Sequence, residues 1–151
     1  MSDSTITLRY LKNTDTDLRQ IAAELNAADW EASVKDFSIA DFDQFLRSED
    51  RYYLIASIGA EIVGAIHGYK LLHPTGVTYM YIDEVDTMAN HRRKGIARAM
   101  MLSVLELAKE WGCDQAWLGT EHDNEAAKAL YISLEPFEIE NGPIYSYKVG
   151  K

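Results

Sequence analysis

Apolar residues in this chain recur with two different periods, and the switches between them mark the structural elements. Residues 5–11 alternate, which puts Ile6, Leu8 and Tyr10 on one face of a first strand. Asp15 or Thr16 stands where a cap belongs for a helix in which Leu18, Ile21, Ala22 and Leu25 recur at helical spacing. An irregular acidic stretch, 29–37, leads to a second helix over 39–47. That helix would bury Phe42, Phe45 and Leu46, with Ser38 as N-cap and Asp41 in its first turn. Residues 52–57 and 62–70 read as a hairpin around Gly59-Ala60, residues 72–77 as a turn containing Pro74 and Gly76, and residues 79–88 as a strand. Helical spacing returns over 97–111 at Ala97, Met101, Val104, Ala108 and Trp111, and Gly112 closes the helix. A short strand at 115–120, a helix at 124–134 and a hairpin of 137–139 with 144–149 complete the pattern. The order β-α-α-β-β-β-α-β-α-β-β predicts a mixed α/β sheet with helices on its faces.

Composition narrows the class. A chain of 151 residues, 47% hydrophobic, suits one domain spanning 1–151. No apolar run approaches a membrane span, and the first residues lack the basic and apolar regions of a signal peptide, so a cytoplasmic protein is expected. Cys113 is the single cysteine, which excludes an intramolecular disulfide and a cysteine metal cluster. His67, His73, His91 and His122 have no ligand spacing, so no metal is expected. The net charge of −9 disfavours nucleic acid and anionic membranes as partners and favours a cation.

Against that acidity, one turn is strongly basic. His91-Arg92-Arg93-Lys94-Gly95-Ile96-Ala97-Arg98 follows the strand at 79–88 and opens the helix at 97–111. A helix start leaves backbone N–H groups without intrahelical acceptors, and the helix dipole adds positive potential there. Such a turn suits a phosphate or pyrophosphate, and Gly95 allows close backbone approach. The spacing Arg-x-x-Gly-x-Ala is neither a Walker A loop nor a dinucleotide fingerprint. A second motif lies downstream: Asn124-Glu125-Ala126-Ala127-Lys128-Ala129-Leu130-Tyr131 reads N-x-x-A-x-x-L-Y.

Together the two motifs resemble the GNAT superfamily of N-acetyltransferases over nearly the whole chain. The block from Tyr79 through Ala97, with Phe45-Leu46-Arg47 and Tyr69-Lys70-Leu71-Leu72 upstream, is most similar to class I aminoglycoside 3-N-acetyltransferases, of the gentamicin type. The chain departs from the family at Tyr131-Ile132-Ser133-Leu134-Glu135-Pro136-Phe137, where a glycine gives way to Glu135 and Pro136 is extra.

The resemblance implies the GNAT fold, with about seven strands and four helices, and acetyl-coenzyme A as co-substrate without a metal. It implies that Arg92, Arg93, Lys94, Gly95, Ile96, Ala97 and Arg98 hold the pyrophosphate, that Val85 and Thr87 pair with the pantetheine arm, and that Asn124 and Tyr131 complete the cofactor site. Tyr131 would then protonate, or donate to, the departing thiolate. It also implies a small cationic amine as partner, an aminoglycoside acetylated at its 3-amino group with resistance as the consequence. Members of the family often form homodimers, a state the resemblance allows here. Alternation along 79–88 places Glu84 and Asp86 on one face and Asp83 on the other. Glu84 occupies the position where the class I enzymes carry an acid, and it is the expected base. His122 competes for that role. Asp83, Glu84, Asp86, Glu121 and Asp123 form the expected cation site, with further acid from Glu31 or Asp36. Two other readings remain: acetylation of a polyamine or of a protein or peptide amine, and a non-catalytic acyl-CoA-binding module.

Overall fold

Three long strands, joined by tight turns, organise the chain. The computed structural model describes residues 4–30 and 36–150, in two compact units, 1–119 and 120–151. In the first unit, β1 (Ile6–Tyr10), β2 (Arg51–Ile58), β3 (Glu61–Leu72), β4 (Thr78–Thr87) and β5 (Gln115–Trp117) form one sheet in the order β1-β2-β3-β4-β5. Neighbours are antiparallel except β4 and β5, which run parallel.

Two helices, α1 (Leu18–Ala27) and α2 (Ile39–Arg47), cover one face of the sheet. Leu18, Ile21, Ala22 and Leu25 of α1 and Phe42 of α2 bury against Tyr53, Ile55, Ile62 and Ala65. The first of these helices starts at Leu18, with Asp17 in the cap position, rather than after Asp15 or Thr16. Asp15 instead closes a turn by accepting the Lys12 N–H at 2.8 Å, and Arg9 grips Asp17 with two bonds of 2.8 and 2.7 Å. The cap of α2 is the expected one: the Ser38 Oγ accepts from the Asp41 N–H at 3.1 Å.

Helix α3 (Ile96–Glu110) lies on the opposite face, where Leu54, Ile66, Met80 and Ile82 are fully buried. Its buried stripe is Ile96, Met100, Met101, Val104 and Ala108, whereas Ala97 and Trp111 are only half-buried. The stripe is rotated because Ile96 and Met100 fill the space over Gly64, where a Cβ would stand 2.8 Å from Ile96 Cγ2. The helix ends at Gly112, whose φ of 71° lets its N–H reach the Lys109 carbonyl while the Cys113 N–H reaches that of Ala108.

Five strands, not seven, are present among the described residues. The expected strand at 115–120 shortens to Gln115–Trp117, since its pairing with β4 ends at Tyr81↔Trp117. The expected hairpin of 137–139 with 144–149 forms no strand. Its apolar residues alternate, yet Phe137, Ile139, Ile144, Tyr147 and Val149 are all exposed. A two-stranded hairpin without an apolar face to bury is marginal in water, so alternation alone does not specify a strand. The second unit contains α4 (Glu125–Ser133), capped as the sequence predicts by the Asn124 side chain, which accepts from the Ala127 N–H at 3.1 Å.

Candidate functional site

The decisive local feature is a β-bulge in β4. Tyr69 lies opposite Tyr81 and Gly68 opposite Ile82, but His67 lies opposite Glu84, so Asp83 is an extra residue in the ladder. An inserted residue reverses the alternation beyond it. Tyr81 and Asp83 before the reversal and Glu84 and Asp86 after it therefore share the face covered by α1 and α2. This corrects the expectation that Asp83 faces away. Its carboxylate lies 3.3 Å from His67 Nε2 and accepts from the Tyr69 and Tyr81 hydroxyls at 3.3 and 3.4 Å. Burial first, and then the Asp83 charge, push both phenols above their ordinary pKa, so they remain donors.

Gly68 makes the bulge possible. A Cβ there would fall 1.9 Å from the Tyr81 carbonyl oxygen and 2.5 Å from the Tyr52 hydroxyl. Without it, the Tyr52 hydroxyl crosses the gap and donates to that carbonyl at 3.4 Å.

Beside the bulge is a cavity of about 260 Å³ lined by Trp30, Phe37, Tyr53, Ala65, His67, Glu84 and Asp86. The His67 ring stacks on Tyr53, with centroids 5.6 Å apart and planes 3° from parallel, and Phe45 meets its edge at 5.7 Å. Burial pushes the Asp86 carboxyl above the usual range; the nearby Glu84 charge adds to the rise, and His67 partly offsets it. Of the three acids, Asp83 is tied down by its neighbours, while Glu84 and Asp86 make no hydrogen bond or ion pair among the described residues. His67, Tyr53, Trp30 and Phe37 were not foreseen as site residues. The signal for His67 was its place in the hairpin opposite the acidic strand, but a bulge cannot be counted from alternation.

Pairing of β4 with β5 stops at Tyr81, so the outer edge of β4 from Ile82 to Thr87 has no strand partner among the described residues. Val85 and Thr87 lie on that stretch, opposite Ile66 and Gly64 of β3. The edge runs into a short 3₁₀ turn, Ala89–His91, and then into the basic turn. There Arg93 and Gly95 both adopt left-handed conformations, with φ of 61° and 78°. Such residues let successive N–H groups converge on an anion. Gly95 is the N-cap of α3 and supplies no side-chain cap, so the first-turn donors keep their outward valence. Arg92, Arg93, Lys94 and Arg98 are exposed, Ala97 is half-buried, and the Ile96 side chain is 1% exposed in the core, so only its backbone is available to a ligand. His91 lies 3.3 Å from Glu61, which anchors the turn to the start of β3.

In the second unit, Glu121, His122 and Asp123 are exposed in the loop before α4, and Tyr131 is half-buried on that helix. The sheet thus brings together Asp83, Glu84, Asp86, Val85 and Thr87, and the turn gathers residues 92–98. Asp36 is exposed, and Glu31 lies outside the described residues. Among the described residues there is no cluster of metal ligands, and no helix is long and apolar enough to cross a membrane.

Comparison with known proteins gives this geometry a context. A family model described as "Acetyltransferase (GNAT) family" matches residues 18–134. N-alpha-acetyltransferase 30 of Xenopus laevis is 30% identical over 98 residues, which are 65% of this chain and 36% of that protein. The chain therefore spans only about a third of the length of that relative. Among solved structures, the aminoglycoside acetyltransferase meta-AAC0020 from an uncultured soil metagenomic sample, in complex with trehalose, superposes with a TM-score of 0.82 at 20% identity, covering 98% of this chain and 99% of that one. AAC(6')-Iy, in complex with the bisubstrate analogue CoA-S-monomethyl-acetylneamine, superposes with a TM-score of 0.77 at 16% identity, covering 97% and 100%. At these identities the structural likenesses show a shared fold.

Proposed function

Because the chain belongs to the GNAT family of acetyltransferases, we propose that it transfers the acetyl group of acetyl-coenzyme A to an amine of a small polycation, an aminoglycoside acetylated at its 3-amino group. One observation carries this reading. The bulge at Asp83 places three carboxylates on one sheet face, beside an unpaired strand edge that leads into a basic helix start.

The residues present fit the co-substrate. The open edge at Val85 and Thr87 offers backbone donors and acceptors to an extended amide-bearing arm, as an added strand would use them. The turn with left-handed Arg93 and Gly95 suits a pyrophosphate, with Arg92, Lys94, Arg98 and the backbone of Ile96 and Ala97 around it. Acetyl-coenzyme A brings the activated acyl group as a thioester. Glu84, exposed and without an ion-pair partner among the described residues, accepts the proton that the ammonium must lose before it attacks. Asp86 supplies further negative charge for a polycation. Tyr131, placed by the N-x-x-A-x-x-L-Y motif, donates to the departing thiolate.

Two measurements test this reading. Thiol release with gentamicin, spermidine and a basic peptide as acceptors should favour gentamicin, with the acetyl group located at the 3-amino position of the product. Preferred turnover of the peptide would favour the second reading, a protein amine, which the likeness to N-alpha-acetyltransferase 30 supports. Tyr131→Phe should lower kcat by about 10²-fold, the lower part of the range for general acids, with little change in coenzyme affinity. Wild-type kcat in that variant would remove Tyr131 from the chemistry.

A further inference from the structure

The basic turn begins with a residue that the coenzyme reading leaves unused. His91 ends the 3₁₀ turn, and its side chain is only 13% exposed, although Arg92, Arg93 and Lys94 beside it are all exposed. Its two ring nitrogens have different neighbours. Nε2 lies 3.3 Å from a carboxylate oxygen of Glu61, and Nδ1 lies 3.4 Å from the Lys94 ammonium. An ammonium can only donate, so the Nδ1 that meets it carries the lone pair. The ring proton then sits on Nε2, where the carboxylate faces it. Glu61 therefore selects the one neutral form of His91 that can hold Lys94. This acid opens β3, directly after the turn at Gly59-Ala60, so the β2–β3 hairpin reaches the turn before α3. The backbone supports the contact, because the Met88 N–H donates to the Val63 carbonyl at 2.9 Å and the His91 N–H to that of Met88 at 2.9 Å.

The charge of Glu61 is out of place here. A carboxylate so near a turn that gathers Arg92, Arg93, Lys94 and Arg98 opposes the binding of an anion. Lys94 supplies the reason for it. A free lysine side chain loses much rotamer freedom when it is fixed on a ligand. Held by His91 through one N–H, the ammonium keeps two further donors for a phosphate. Resting on the reading above, we infer that Glu61 and His91 are positioning residues of the coenzyme site, which hold the Lys94 ammonium in place before the diphosphate arrives. Less ordering is then left to the binding step, so coenzyme affinity depends on an acid in the β2–β3 hairpin. That acid acts through its acceptor oxygen and not through its charge.

The test uses the whole chain and coenzyme A. Calorimetry measures affinity without any turnover, and thermal unfolding checks that each variant folds. Glu61→Ala should weaken coenzyme binding about three- to fivefold, the yield of one exposed charged contact. Glu61→Gln, which keeps an acceptor oxygen without the charge, should stay within about twofold of wild type. His91→Phe, which keeps a ring of similar bulk, should match Glu61→Ala. In a Lys94→Met background Glu61→Ala should have no further effect, because its action passes through Lys94; a merely structural role would add in full. Heteronuclear NMR should find His91 protonated at Nε2 and unprotonated at Nδ1. Tighter binding in both Glu61 variants would mean that only charge matters and would overturn the inference. Full additivity with Lys94→Met, or a proton on Nδ1, would overturn it too, and in each of these cases the coenzyme site itself stands. A wild-type chain that does not bind coenzyme A overturns the reading, and the inference with it.

Discussion

On the proposed mechanism, Glu84→Gln should lower kcat by about 10²–10⁴-fold, the usual effect of losing a general base. The substitution keeps the shape of the side chain and its position opposite His67, so the bulge and the cavity survive. What it removes is an acceptor for the proton leaving the ammonium. Because Asp86 and the aromatic walls remain, the KM for the acceptor should rise far less than kcat falls. Steady-state kinetics with gentamicin at saturating acetyl-coenzyme A provides the measurement. Turnover at the wild-type rate would move the base elsewhere, with His122 or a water relay as the successor.

The second large effect is on folding. Gly68→Ala should destabilise the chain by about 3 kcal/mol, the upper part of the range for overpacking, which corresponds to a fall in melting temperature of roughly 10 °C. The new methyl would stand 1.9 Å from the backbone oxygen of Tyr81, an atom that no rotamer change can move. Either β4 retreats or the Tyr52 hydroxyl loses its acceptor. The other glycine tight to its neighbours in this hairpin, Gly64, meets the side chains of Ile96 and Met100, at 2.8 and 3.0 Å, before any backbone atom and is the informative control. Thermal unfolding of the two alanine variants decides the matter. A Gly68→Ala protein as stable as wild type would mean that the bulge does not depend on the missing Cβ.

Much of the architecture was legible because it rests on local rules. The Ser38 and Asn124 caps, the Gly112 stop and the turn at Gly59 each follow from one residue's conformational or hydrogen-bonding preference, and each is present. The basic turn announced itself by charge against an acidic background. Features that depend on pairing between distant segments were not legible. Alternation gave Asp83 the wrong face, because an inserted residue in β4 is visible only against the register of β3. It also proposed strands at 137–139 and 144–149, since a period of two says which residues would share a face and not whether anything lies opposite them. The cavity escaped for a related reason. Its walls come from residue 30, residue 37, β2, β3 and β4, and no window of sequence holds them together.

The half-buried position of Asp86 links the proton inventory of the protein to its fold. A carboxyl whose pKa is raised on folding binds its proton more tightly in the native chain than in the unfolded one. Stability from this group is therefore fully present in acid and is lost as pH rises from the ordinary aspartate range through the raised value. The facing groups set the size of that loss: Glu84 on the same strand increases it, and His67 on β3 reduces it. Once this group ionises, the native chain carries a charge whose burial it resists. A cation held beside it would relieve that resistance and would itself be held more firmly by the ionised form. Cation affinity and the stability of the empty protein would therefore depend on pH in opposite senses through this one carboxylate.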